Sequence, residues 1–114
     1  MELEMILFYN NDYEVLSWQN ANMIHNWFKK RINTKGLKYT NSKSYDINYE
    51  DLKDLLKDVN MVLDTYELAS EVLPQDLEYD RFYFETLRYT KKGLEKILNA
   101  YSSSDSFQYI VFWF

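Results

Sequence analysis

The stretch "FQYIVFWF" at residues 107–114 decides the fold, because it is too apolar to be left in contact with water. Its aromatic and β-branched residues are typical of a β-strand. Such a strand has to pair with another strand and to be covered by helices or by a second subunit. We therefore predict that it pairs with the short apolar stretch "MILFY" at residues 5–9, near the other end of the chain.

Three segments between these two stretches have the signals of helices. Ser17 is the predicted N-cap of the first helix. Asn48 is the predicted N-cap of the second helix, with Asp51 at its third position, and leucine and valine recur there at the 3.6-residue period. Pro74 sets the limit of that helix. The predicted helices span about residues 18–31, residue 49 to a point before Pro74, and about residues 78–99.

These elements predict one α+β domain that covers residues 1–114. Its three helices pack on a small, mainly antiparallel sheet that includes both chain ends. A short strand pair at residues 37–40 and 44–47 fits the turn-rich segment between the first two helices. The predicted core consists of apolar residues from the helical stripes and the C-terminal strand, namely Ile24, Phe28, Leu52, Leu55, Leu56, Val59, Leu63, Leu87, Leu94, Ile97, Ile110 and Phe112.

Composition excludes several classes of function. The chain has no cysteine, which excludes disulfides and thiolate chemistry, and it has one histidine, which excludes a histidine-rich metal site within one chain. The net charge of −5 disfavours direct binding of nucleic acid and favours a basic partner surface. Nothing in the sequence resembles a signal peptide or a membrane span, so we expect a cytoplasmic protein that does not bind a membrane. The 11 tyrosines are typical of a recognition surface or, alternatively, of an AT-rich genome.

The stretch "NANMIHNWF" at residues 20–28 contains the candidate binding residues. On the first predicted helix, Trp18, Asn22 and His25 share one side, and Asn26 lies next to them. The amide and imidazole groups are suited to a base edge, a peptide backbone or a small polar ligand. They are equally suited to bonds with the protein's own backbone, and both interpretations stay open. No catalytic residue, metal site or cofactor is predicted, since His25 has no local nucleophile or orienting group.

The same stretch carries a resemblance to a known group of proteins. "SWQNANMIHNWF" (17–28) resembles the W-x-x-A-N-x-I-H-x-W-F motif of a family of small tailed-phage proteins, and "EYDRFYFETLRYT" (78–90) is similar to a second segment of that family. Many members have no assigned activity. The resemblance adds Tyr79, Asp80 and Tyr83 to the candidate binding residues. The chain departs from the family at Gln19 and Asn20, where the family usually has basic residues.

Three functions follow from the resemblance and the composition. The first is a phage accessory protein of the host cytoplasm that binds and inhibits a host protein by occlusion, with an acidic and tyrosine-rich face. Anti-defence activity, including anti-CRISPR inhibition, is the expected form. The second is a nucleotide-binding sponge or enzyme that uses Asn22 and His25. The third is a structural or regulatory homo-oligomer, such as a homodimer, with the aromatic C-terminus as its interface.

Overall fold

The structure, a computed structural model, describes residues 2–40 and 43–113. The elements in chain order are β1 (Leu3–Tyr9), β2 (Tyr13–Gln19), α1 (Asn22–Thr34), β3 (Tyr45–Asn48), α2 (Tyr49–Asp64), a 3₁₀ turn (Tyr66–Leu68), α3 (Ala69–Val72), α4 (Arg81–Ala100) and β4 (Ser106–Trp113). The predicted α+β class, with both chain ends in one antiparallel sheet, is confirmed. The short helix α3 is additional to the three predicted helices.

The two strands from the chain ends form the centre of the sheet. The strand order is β2-β1-β4-β3, and every neighbouring pair is antiparallel. β4 therefore pairs with β1 on one side, where Met5 lies opposite Val111, and with β3 on the other. This central position satisfies the backbone groups of the apolar strand, as its composition requires. Phe114, the last residue of the predicted strand, lies outside the described residues.

The inward face of β4 is opposite to the predicted one. Phe107, Tyr109 and Val111 are buried, whereas Ile110 is half-buried and Phe112 is 38% exposed. The prediction that Phe112 belongs to the core is wrong, and Ile110 belongs to it only in part. Successive side chains of a strand point to opposite faces, so an error of one residue moves every side chain to the other face. Eight predicted core residues are buried, namely Ile24, Phe28, Leu52, Leu55, Val59, Leu87, Leu94 and Ile97, and Leu56 and Leu63 are half-buried.

Residues 13–19 form a strand and not the start of the first helix. In β2 the buried side chains of Leu16 and Trp18 alternate with more exposed ones, and Trp18 lies opposite Met5 of β1. The predicted cap at Ser17 is therefore wrong, because pairing with β1 includes this segment in the sheet. Asn20 has a φ of +55°, which turns the chain from β2 into α1. Its side chain accepts a hydrogen bond from the Leu3 backbone over 3.0 Å.

Of the predicted strand pair after α1, the second strand is confirmed as β3, one residue later than predicted, and the first strand and the pairing are wrong. Residues 37–40 form no strand, and β3 pairs with β4 instead. The hydroxyl of Tyr45 donates to the Lys38 carbonyl over 3.0 Å, so this loop is fastened to β3 by a side chain and not by a strand ladder.

α2 begins with the predicted capping chemistry, whereas the cap of α4 was not predicted. The Asn48 side chain accepts from the Asp51 backbone over 2.8 Å, and Asp51 accepts from the Asn48 backbone over 3.0 Å, which is the predicted capping box. α2 ends at Asp64 because Thr65 adopts an extended conformation, well before Pro74. α4 begins at Arg81, three residues later than predicted, with Asp80 as its N-cap.

Candidate functional site

His25 lies on α1 with its imidazole between the helix and the end of β4. Its side chain is buried, since the residue is only 5% exposed, and Nδ1 lies 2.8 Å from the hydroxyl of Tyr109. The rings of Tyr39 and Trp113 meet it edge-on, with centroids at 5.3 and 6.1 Å. The imidazole is therefore held in one orientation by a hydrogen bond and by an aromatic frame.

Burial keeps this imidazole neutral at pH 7. Burial, together with the smaller effect of the positive charge of Lys29, lowers the pKa of His25 from 6.5 to about 4. Burial also raises the pKa of Tyr109 well above its usual value of 10.0, so the phenol keeps its proton. We assign the hydrogen bond as donation from the Tyr109 hydroxyl to Nδ1, since a buried phenol proton needs an acceptor. Nε2 then carries the ring proton and is a hydrogen-bond donor.

A cavity opens on the outer side of His25. Its volume is about 560 Å³, and we call it the histidine cavity. The residues that line it are Asn22, His25, Asn26, Lys29, Tyr39, Thr40 and Trp113. Three of the predicted binding residues, Asn22, His25 and Asn26, are thus brought together at one site. None of the lining residues is a carboxylate, and Lys29 is the charged residue among them.

The other four predicted binding residues stabilise the fold elsewhere. Trp18 is buried, and its Nε1 donates to Thr90 Oγ1 over 2.9 Å, while the Thr90 hydroxyl donates to the Thr86 carbonyl. The buried Tyr83 hydroxyl donates to the Leu73 carbonyl over 2.9 Å. The remaining two lie in the segment before α4. Tyr79 bonds the Gln75 backbone, and Asp80 caps α4.

A second feature, which the sequence analysis did not use, is the segment that connects α2 to α4. Residues 64–80 contain six acidic residues and no lysine or arginine, and we call this segment the acidic connector. Its charge of −6 exceeds the net charge of −5 for the whole chain, so the remaining residues sum to +1. All six carboxylates are exposed, namely Asp64, Glu67, Glu71, Asp76, Glu78 and Asp80. None of them forms an ion pair within residues 2–40 and 43–113.

Apolar side chains are exposed in and beside the acidic connector. Leu77 is 62% exposed, Phe82 follows at 51%, and Tyr66 is also exposed. The ring of Tyr66 stacks on Phe84 at 4.1 Å, and its hydroxyl accepts from Arg88 over 2.7 Å, so its position is fixed. The connector therefore combines negative charge that has no internal ion pair with exposed apolar side chains, of which the aromatic ones are the type enriched in protein-binding surfaces.

Basic residues are concentrated in a different segment. Residues 29–43 contain six lysines and arginines and no acidic residue. Lys29 lines the histidine cavity, and its Nζ lies 5.9 Å from the centre of the Tyr39 ring. The chain thus separates its charges into a basic segment near His25 and an acidic connector, and both runs are visible in the sequence.

A further cavity, of about 410 Å³, lies between α1, α2 and α3. Its charged lining is largely used in internal contacts. Arg31 and Lys35 pair with Asp51, and the Trp27 indole donates to Asp58 over 2.8 Å. We therefore interpret this cavity as part of the packing between the helices.

Comparison with protein-family models, with curated proteins and with solved structures finds no match to this chain. In the part of the chain that the structure describes, no group of three histidine, aspartate or glutamate side chains is placed to hold a metal ion. The same part contains no helix of the length and apolarity that crossing a membrane requires.

We expect the burial of His25 to make the protein less stable in mild acid. The unfolded chain takes up a proton near pH 6.5, whereas the folded protein resists protonation until about pH 4. Stability is therefore retained above pH 6.5 and falls as the pH decreases, with a loss of about 2 kcal/mol at pH 5. Urea unfolding of the wild type and of His25→Gln at pH 7 and pH 5 measures the difference. An equal loss in both proteins would contradict the burial of a neutral imidazole.

Proposed function

We propose that the protein binds a basic surface of another protein through the acidic connector and inhibits that partner by occlusion. The observation that supports this proposal is the set of six exposed carboxylates without an internal ion pair. Charges that stabilise a fold are usually paired within it or cap helices, and among these six only Asp80 has such a role. The other five are available to a partner.

The chemistry of the connector also indicates how it would bind. Unpaired negative charge attracts a positively charged surface over a distance of about 10 Å at moderate salt, which accelerates the encounter. The exposed side chains of Leu77, Phe82 and Tyr66 then supply contact area that excludes water from the charge pairs. A groove that normally holds nucleic acid is a positively charged surface of this kind.

The resemblance to tailed-phage proteins supports a partner from the host cell. A phage protein that occludes a nucleic-acid groove would act against host defence, and a CRISPR effector is the form of partner that we propose. The protein would then act in the host cytoplasm. Its mechanism would require no catalysis, because the bound protein would exclude the natural ligand by position and charge.

A phage plating assay tests this function in cells. Hosts that carry defined defence systems, CRISPR effectors among them, are challenged with a targeted phage while they express the wild-type protein. We expect the phage to regain its plating efficiency on hosts that carry at least one of the effectors.

A connector variant neutralises four carboxylates and keeps the Asp80 cap. Its substitutions are Glu67→Gln, Glu71→Gln, Asp76→Asn and Glu78→Gln.

A matched control variant makes the same change of charge elsewhere on the surface. Its substitutions are Asp12→Asn, Glu14→Gln, Asp46→Asn and Glu95→Gln, all at exposed positions. Each exposed charge pair with the effector contributes about 0.5 kcal/mol to binding. The connector variant should therefore lose about 2 kcal/mol of binding free energy, which is about 30-fold in affinity for the effector. The control variant should keep nearly all of its affinity. Equal recovery of plating with both variants, or an affinity for the effector that is the same at low and high salt, would contradict the proposal.

The homo-oligomer remains an alternative. The outer face of the sheet is the surface that it would use, since Ile6 lies opposite Ile110 there, both are half-buried, and Phe112 is exposed. The acidic connector carries the preferred proposal, because five of its exposed carboxylates neither form an ion pair with a described residue nor cap a helix.

A further inference from the structure

The histidine cavity contains a buried polar group with an unused hydrogen bond. The His25 side chain is buried, and its Nδ1 is occupied by Tyr109. Its second ring nitrogen, Nε2, forms no hydrogen bond with the described residues, and it is not sealed from solvent. Because His25 lines the cavity, this protonated nitrogen is a donor that a bound molecule could satisfy.

The other polar groups of the cavity favour an anion. Lys29 contributes an ammonium group. The amides of Asn22 and Asn26 each donate one N–H to a backbone carbonyl, of Asn20 and of Pro74, and each keeps a second N–H that can donate to a ligand. No lining residue has a carboxylate to repel a negative charge, and Lys29 begins the basic segment of residues 29–43. A phosphate or carboxylate matches this set of donors, since charge-assisted hydrogen bonds are the strong ones.

The aromatic lining favours a ligand with a planar group. The indole of Trp113 is 40% exposed and lines the cavity beside His25. Aromatic side chains provide stacking surfaces for nucleobases. The cavity volume of about 560 Å³ lies within the roughly 300–1,000 Å³ of small-ligand sites.

We propose that the histidine cavity binds a nucleoside monophosphate. The phosphate accepts hydrogen bonds from His25 Nε2–H and from the Lys29 ammonium group, and the base lies against Trp113. The amides of Asn22 and Asn26 select the ligand by bonding its sugar or base edge. This site is independent of the proposed function, because the connector variant leaves every lining residue unchanged.

Titration calorimetry of the full chain tests this proposal with three probes, which are adenosine 5′-monophosphate, adenosine and inorganic phosphate. We expect the nucleotide to bind and each of its parts to bind at least about tenfold more weakly. Binding should also quench the fluorescence of Trp113, and the Trp113→Phe variant should lose that signal. Absence of nucleotide binding to the wild type would overturn the proposal. Phosphate or adenosine that binds as well as the nucleotide would overturn it too.

Two lysine variants distinguish this site from general attraction by the basic segment. Lys29→Gln removes a charge that lines the histidine cavity, and Lys30→Gln removes an exposed neighbouring charge that lies outside it. We expect nucleotide affinity to fall about tenfold in Lys29→Gln and to stay unchanged in Lys30→Gln. An equal fall in both variants would contradict a built site. In the wild type, a bound phosphate should also raise the pKa of His25, which NMR measures directly.

Discussion

Replacing Tyr109 with alanine should lower the free energy of unfolding by about 3–5 kcal/mol, the usual cost of removing a large aromatic side chain from a core. Tyr109 is fully buried on the central strand β4, and its ring stacks on Phe28 of α1 with centroids at 4.1 Å. It therefore joins the sheet to the helix that carries His25. Urea unfolding monitored by circular dichroism measures the loss.

Two further substitutions separate the contributions of the Tyr109 hydroxyl and of the inward face of β4. Tyr109→Phe keeps the ring and removes only the hydroxyl that bonds His25 Nδ1, so it should cost about 1–2 kcal/mol. Ile110→Ala truncates the neighbouring, outward-facing side chain and should cost clearly less than Tyr109→Ala. A larger loss for Ile110→Ala than for Tyr109→Ala would mean that β4 has the opposite face toward the core.

Replacing Asp51 with alanine should lower the free energy of unfolding by about 3 kcal/mol. Asp51 is buried and has several partners at once, because it closes the capping box of α2 with Asn48 and accepts from Arg31 and Lys35. Its loss removes the side-chain half of the capping box, worth up to about 1 kcal/mol, leaves Lys35 without its carboxylate and leaves Arg31 with only the exposed Asp54. Urea unfolding at pH 7 measures this change.

Asp54→Ala is the matched control for this prediction. Asp54 also accepts from Arg31, over 2.8 Å, but its side chain is 51% exposed. An exposed ion pair contributes only about 0.2–1 kcal/mol, so this variant should stay close to the wild type. Similar losses in the two variants would show that the burial of Asp51 contributes little.

The parts of the fold that were predicted correctly depend on strong local signals or on a physical necessity. The capping box at Asn48 and Asp51 is a local signal, and the period of leucines and valines after it indicates the buried face of α2. The pairing of β4 with β1 was predicted from the apolar composition of the two stretches, whereas the pairing of β4 with β3 on its other side was not.

The predictions that were wrong depend on contacts between segments that are distant in the sequence. Residues 13–19 carry both a plausible cap at Ser17 and the alternation of a strand, and only pairing with β1 decides between them. In the same way, "FQYIVFWF" is apolar on both faces, so its composition does not reveal that Tyr109, and not Ile110, points inward.

The candidate site was predictable in part. His25, Asn22 and Asn26 are close in sequence on α1, and they do line one cavity. Tyr39 and Trp113 come from a loop and from the end of β4, and only the fold brings them to His25. The acidic connector could have been found from its run of six acidic residues without a basic one, although the absence of internal ion pairs needed the structure.

Hydrogen–deuterium exchange of the free protein, and of its complex with the effector that the plating assay identifies, tests most directly whether the acidic connector is the binding surface. We predict that amide exchange in the complex slows chiefly within residues 65–80 and at the start of α4. Slower exchange confined to the α1 segment and the end of β4, with the connector unchanged, would contradict the proposal.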